Sequence, residues 1–394
     1  MINNKYFPFS LLLLAEAFER FAYFFVSFIL IFFISATVEN GGLGFTHEVT
    51  IKIGTYFSFG ILFLPLLVAP FIDKKIGYFN GAFWGGISLI LCYFLAFIST
   101  YFLSWIIFVS LILCVIGSAL LKPSVSVLVG RLTQFSSHSQ DMGYILFIII
   151  VNVASLSSAY ASAKFVNAWG SFKPVFILSM IFMLFYSFII FYLNKNFPLK
   201  ETTVEKNNSF HESKKFIPML LILSLMIGIS TTISSKIFSF PDSLLFWSAF
   251  VIGMVGLFYF WKKSFLFIKK RYTILTCISF IIFMIMNLFL KNFGSMSSFL
   301  PGIFSSLDML INFFIFPLLL SFLSRSVPLS GQATFQALAF FFFSISSIMT
   351  NNYLPYLGLS SKGNLGLLSC SLVLIVSLTF VLFMKWQNNT LKNT

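Results

Sequence analysis

Apolar runs of about 18 or more residues follow one another along nearly the whole chain, and each is long enough at about 1.5 Å per residue to cross roughly 30 Å of hydrocarbon. Lipid offers no partner to an exposed backbone, so these runs must be helices. They are predicted near 8–34, 50–72, 79–98, 102–130, 142–163, 174–194, 216–238, 243–261, 272–290, 303–324, 331–350 and 365–385, numbered here as spans 1 to 12. With 59% hydrophobic and 9% charged residues the chain lies outside the range of a soluble domain. The expected fold class is an all-α integral membrane protein. Span 1 is too long, and too interrupted by Glu16, Glu19 and Arg20, for a cleavable signal peptide.

The net charge of +14 marks topology rather than nucleic-acid binding. With a cytoplasmic N-terminus, 17 Lys and Arg fall on inside segments and six on outside ones. The excess places both termini in the cytoplasm. The expected location is the plasma (inner) membrane. Cys92, Cys114, Cys277 and Cys370 fall within spans at wide spacing, with neither metal nor disulfide patterning. His47, His138 and His211 are expected in loops, so none is expected to relay protons within the membrane, and no cofactor or metal site is expected.

The longest polar interruption, KNFPLKETTVEKNNSFHESKK at 195–215, divides the chain into an N-terminal six-helix bundle at 1–194 and a C-terminal one at 216–394. Two such halves are the layout of transporters that hold a solute between repeats. Between spans 2 and 3, Asp73, Lys74 and Gly77 fit a D-(R/K)-x-x-G loop signature, in which an acid and a base brace helix ends and Gly allows a tight turn. An ordinary basic turn would also account for them.

Ionised residues at a helix centre cost about 2.5–3.5 kcal/mol each, so Glu16, Glu19 and Arg20 would cost about 9 kcal/mol facing lipid. Their apolar neighbours recover only about 4–7 kcal/mol. The charges must turn inward. Glu16 and Arg20 stand at i and i+4 with Glu19 between them, so all three share a face and form a coupled candidate for proton binding. Lys122 in span 4 lies about 13 Å above Arg131, and Glu16 to Arg20 lie about 12–18 Å into span 1. Pro123 is expected to break the helix ladder beside that lysine. Asn152, about 15 Å into span 5, is expected to join the same layer. The layer reads as a substrate or proton path, or as a structural ion pair that fixes helix register.

These residues resemble the proton-coupled oligopeptide transporter family of the major facilitator superfamily. Glu16, Glu19, Arg20, Phe21 and Tyr23 match its E-x-x-E-R-F-x-Y-Y motif, with Phe24 in place of the second tyrosine. Gly117, Lys122, Pro123 and Gly130 match its G-x-G-x-x-K-P motif and the glycine that follows, with Ala119 replacing the second glycine. Asn152 keeps one position of the helix 5 motif, where Tyr144, Ile148, Val151 and Ala154 occupy others, and Tyr56 falls where the family commonly has a tyrosine. An arginine of the family is replaced by Ser27, and its acidic partner in span 7 is absent. In span 10 Asn312 occupies an acid's position beside Pro317, and Asp308, one turn earlier, either substitutes for it or caps the helix.

The resemblance implies a major facilitator fold of 12 helices and import of di- and tripeptides with protons by a monomer working through alternating access. Glu16, Glu19, Arg20 and Lys122 would couple protons. Arg20, Tyr23, Tyr56, Lys122, Asn152 and Asn312 would meet a peptide or similar zwitterionic solute. A facilitator or exchanger of another anionic or amino-acid-like solute, and a transport-inactive sensor, are the rival readings. No cluster with nucleophile or metal spacing favours an enzyme.

Overall fold

The computed structural model describes residues 6–101, 104–198, 221–222, 224–225, 227–229 and 316–353. Spans 8, 9 and 12, Asp308, Asn312, both termini and most of the 195–215 interruption lie outside them. Six helices among the described residues are long and apolar enough to cross a membrane. They are α1 (Phe7–Ser35), α2 (His47–Phe71), α3 (Tyr78–Ser99), α4 (Ile106–Leu132), α5 (Ser137–Trp169) and α6 (Lys173–Asn196). Two more follow, α7 (316–326) and α8 (Gln332–Tyr353).

Local chemistry sets several of these ends. Proline stands in the first turn of α1 and of α6, where its missing N–H costs nothing. Ser136 caps α5 by accepting a bond from the Ser139 amide at 3.1 Å. After α2 the chain tightens into a π turn, Ile72–Ile76, and leaves it through Gly77 at φ +81°, a conformation that suits glycine. The histidines differ from expectation, since His47 opens α2 and His138 lies in the first turn of α5. Pro123 lies inside its helix, as the span predicted at 102–130 requires. The ladder simply omits one bond, and α4 runs through to Leu132.

The chain divides into two compact units, Met1–Lys214 with Leu320–Phe341, and Lys215–Leu319 with Phe342–Thr394. In the first, α1 packs against α5 and α6 through aromatic contacts such as Phe33 on Phe176 (4.9 Å) and Phe25 on Phe165 (5.6 Å). Large apolar side chains such as Phe32, Trp84 and Phe188 stay exposed, as hydrocarbon solvent permits. In the second unit the Phe316 ring lies 4.5 Å from Phe343.

The α3–α4 contact is made by small residues. A Cβ on Gly85 would stand 2.8 Å from the Gly117 carbonyl oxygen, and one on Gly117 would stand 2.9 Å from that of Gly85. Backbone cannot yield as a side-chain tip can, and close approach of this kind is how helices associate without a hydrophobic drive. Gly117→Leu is therefore expected to cost at least about 1–3 kcal/mol by overpacking, seen as a lower unfolding temperature in detergent. An unchanged temperature would mean that this contact adjusts freely.

Candidate functional site

The charged segment of α1 folds into a closed cluster. Arg20 Nε lies 2.5 Å from Glu16 Oε1 and 2.9 Å from Glu19 Oε2, so one guanidinium serves two carboxylates. Glu16 and Glu19 have no exposed surface, and Arg20 is buried too. The i, i+4 step puts Glu16 one turn before Arg20, and adjacency brings Glu19 in from the side. Across from it, Lys122 Nζ stands 5.1 Å from the centroid of the Tyr23 ring, a cation–π contact that joins α4 to α1. Both carboxylates spend their ion pairs on Arg20, and the lysine is held over an aromatic face instead.

Other sequence-predicted residues have local partners or exposure of their own. Asn152 donates to the Ile148 carbonyl of its own helix at 2.7 Å. α5 begins at Ser137, earlier than the predicted start, which sets Asn152 about one turn deeper into its helix than the predicted boundary implied. Tyr56 is 75% exposed on α2. The Ser27 hydroxyl, standing where the resembled family has arginine, donates to the Tyr23 carbonyl at 2.7 Å. Its own helix therefore satisfies it.

A second cluster gathers around the loop signature. The Asp73 carboxylate accepts from the Ala333 and Thr334 amides at 2.9 Å each, from the Thr334 hydroxyl at 2.7 Å and from the Tyr78 hydroxyl at 3.0 Å. It thereby caps the first turn of α8. Gly331, at the N-cap position of that helix, has no side chain to do so, and Asp73 supplies the missing acceptor from 260 residues away. Lys74 stays in the π turn and Gly77 turns the chain into α3.

Residues the sequence reading passed over extend this cluster. Arg131 donates to Gln332 Oε1 at 2.9 Å while lying over the Tyr78 ring. The Ser126 hydroxyl donates to Gln336 Oε1 at 3.0 Å, and Gln140 donates to Ser324 at 2.9 Å. Asp141 pairs with Arg325 at 2.8 Å and accepts from Ser321 at 2.6 Å. Arg131 looked like a topology marker because nothing nearby in sequence announces its partner. Among the described residues no group of three or more His, Cys, Asp or Glu could hold a metal ion.

The described part of the chain is thus a membrane-spanning helical bundle with a buried acid–base cluster inside it. Residues 17–351 match the Major Facilitator Superfamily, and the chain belongs to it. It is a multi-pass membrane protein. Its relatives include the peptide transporter YePEPT of Yersinia enterocolitica, 30% identical over 42% of this chain and 32% of that protein. A di-/tripeptide transporter of Lactococcus lactis is 28% identical over 54% of this chain and 42% of its own length. The matched stretches thus span less than half of either relative. In fold, the chain is similar to a bacterial homologue of the iron transporter ferroportin in an outward-facing state (TM-score 0.68, 13% identity, 97% and 99% of the two chains). It is also similar to a POT family transporter in complex with a thioalcohol-conjugated peptide (TM-score 0.59, 17% identity, 95% of each chain).

Proposed function

We propose that the protein imports small peptides, di- and tripeptides, together with protons by alternating access. The observation that carries this reading is the α1 cluster, two carboxylates and an arginine buried beside a lysine held over Tyr23. Charges buried at such cost are retained for a path across the membrane. Glu16 and Glu19 accept the proton, Arg20 and Lys122 favour a peptide carboxylate, and Tyr23, Tyr56 and Asn152 meet its backbone. Asn312 meets the amino end, with Asp308 as its substitute acid. The peptide transporters among the relatives support the cargo.

In this reading twelve helices form bundles 1–194 and 216–394, joined by 195–215, and a monomer sits in the inner membrane with both termini in the cytoplasm. Exchange of another anionic or amino-acid-like solute is the second reading. What favours it is Ser27, self-satisfied at a position where the resembled family keeps an arginine.

Uptake of labelled di- and tripeptides into proteoliposomes, with and without an inward acid gradient, tests the proposal. Glu19→Gln and Lys122→Ala are each expected to lower gradient-driven uptake by about tenfold or more. Wild-type uptake in either variant removes the coupling role, and absence of any peptide uptake removes the cargo.

A further inference from the structure

Glu16 and Glu19 have no exposed surface, so a proton that binds either must reach it through the interior of the bundle. The titratable and charged groups around them are Arg20 and Tyr23 on α1, Cys92 and Tyr93 on α3, Cys114 and Lys122 on α4, and Tyr186 on α6. From Lys122 toward the Ile106 end of α4, steps of one turn meet Ser118, Cys114 and Ser110 in succession. All three are buried, and residues at this spacing are neighbours on a helix surface. The result is a polar stripe running up α4 from the cluster toward the side that charge distribution places outside.

Two hydroxyls beside that route have no partner. Ser118 Oγ and Tyr93 OH are buried without a hydrogen bond, as is Glu16 Oε2. Tyr93 is 1% exposed and Ser118 0%. Native interiors satisfy such groups, and where protein does not, ordered water does. Farther along, Tyr23, Cys92, Tyr93, Ser110 and Cys114 line a cavity of about 10 Å³. That is about the space of one water. Its surface is apolar, so it offers room without a hydrogen-bond partner. At its edge the Ser110 hydroxyl donates to the Cys92 carbonyl at 2.8 Å and stands 3.4 Å from the Cys92 sulfur.

We propose that Tyr93 and Ser118 hold water inside this unit, and that this water relays protons along α4 to Glu19. The inference rests on reading Glu16 and Glu19 as the proton site and names the route to it. Each water accepts one proton and passes on another as a charge moves through, then turns back on its hydroxyl partner, which restores the relay. The proton ends on a Glu19 oxygen. Tyr93 and Ser118 act as positioning residues for the water.

Infrared spectroscopy of the full-length protein in lipid nanodiscs tests the route without any peptide. The protonated carboxyl band is assigned by its loss in Glu19→Gln and followed during exchange from H₂O to D₂O between about pH 4 and pH 8. Exchange is expected to be about tenfold slower in the Tyr93→Phe/Ser118→Ala double variant than in wild type, reflecting about one lost relay hydrogen bond. Ser118→Thr keeps the hydroxyl and is expected to exchange at the wild-type rate. An assigned band whose exchange is unchanged in the double variant overturns the route and leaves the proton site standing. So does slowing by Ser118→Thr equal to that of Ser118→Ala. No band from Glu16 or Glu19 at any pH tested removes the proton site, and the route with it.

Discussion

Arg20→Ala is expected to cost about 3–5 kcal/mol of folding stability and to lower the unfolding temperature in detergent by about 10 °C. The reason is arithmetic of charge in a buried place. Glu16 and Glu19 are fully buried, and Arg20 holds both, at 2.5 and 2.9 Å. Without the guanidinium two desolvated acids face each other, and Lys122 remains committed to the Tyr23 ring. The protein must then protonate an acid, admit water or unfold. A triple variant, Glu16→Gln/Arg20→Met/Glu19→Gln, removes every charge while keeping much of the volume, and is expected to recover most of the lost stability, since a buried ion pair gives little net stability. Yet it is expected to lose gradient-driven uptake. Stability and transport then part company, as they must if the cluster is kept for function. A purely structural cluster would return both together. Wild-type stability in Arg20→Ala would show that water reaches the acids freely.

The two clusters were unequally legible in the sequence, for a physical reason. Glu16, Glu19 and Arg20 announce themselves, because three charges inside an apolar run are too costly to face lipid and their spacing fixes one shared face. The six helices followed from hydropathy with ends shifted by a few residues, most of all at α4 and α5. Helix ends are set by caps and turns such as Ser136 and Gly77, which hydropathy does not register. Lys122 stood out as a charge inside an apolar run, but its aromatic partner depends on how α1 and α4 rotate about their axes. Asn152 shows the limit of depth as a guide, since a residue within the membrane can satisfy its amide on its own helix. Asp141 with Arg325 and Arg131 with Gln332 join residues about 200 positions apart. Any basic residue near a helix end looks the same from sequence, whether it faces water or a distant acceptor. A usable clue existed at α8, where Gly331 leaves the first-turn amides without a local cap.

Those amides give the second large effect. Asp73→Asn is expected to loosen α8 from the turn after α2 by about 2–4 kcal/mol, because the carboxylate serves three donors on α8 and hydrogen bonds to a charged acceptor are worth about 1.5–3 kcal/mol each. An asparagine has one acceptor oxygen and points an N–H₂ group at the remaining donors, and it gives up the attraction between a negative charge and a helix N-terminus. Thr334→Val removes a single hydroxyl and keeps the backbone bonds, so its effect is expected to be near 1 kcal/mol. Ala337 lies beneath this junction in a buried apolar group with Ala69, Ile72, Val127 and Ala333. A cysteine placed there, Ala337→Cys, in a background freed of the native cysteines, reports each opening by reaction with a thiol reagent. Labelling is expected to accelerate about thirtyfold or more with Asp73→Asn, and about fivefold with Thr334→Val, following the two free-energy losses. If both variants label at the parent rate, the apolar group alone holds α8 in place and Asp73 is a spectator. A graded response would instead assign the hold to the carboxylate, and would make the acid of the loop signature the N-cap that α8 lacks.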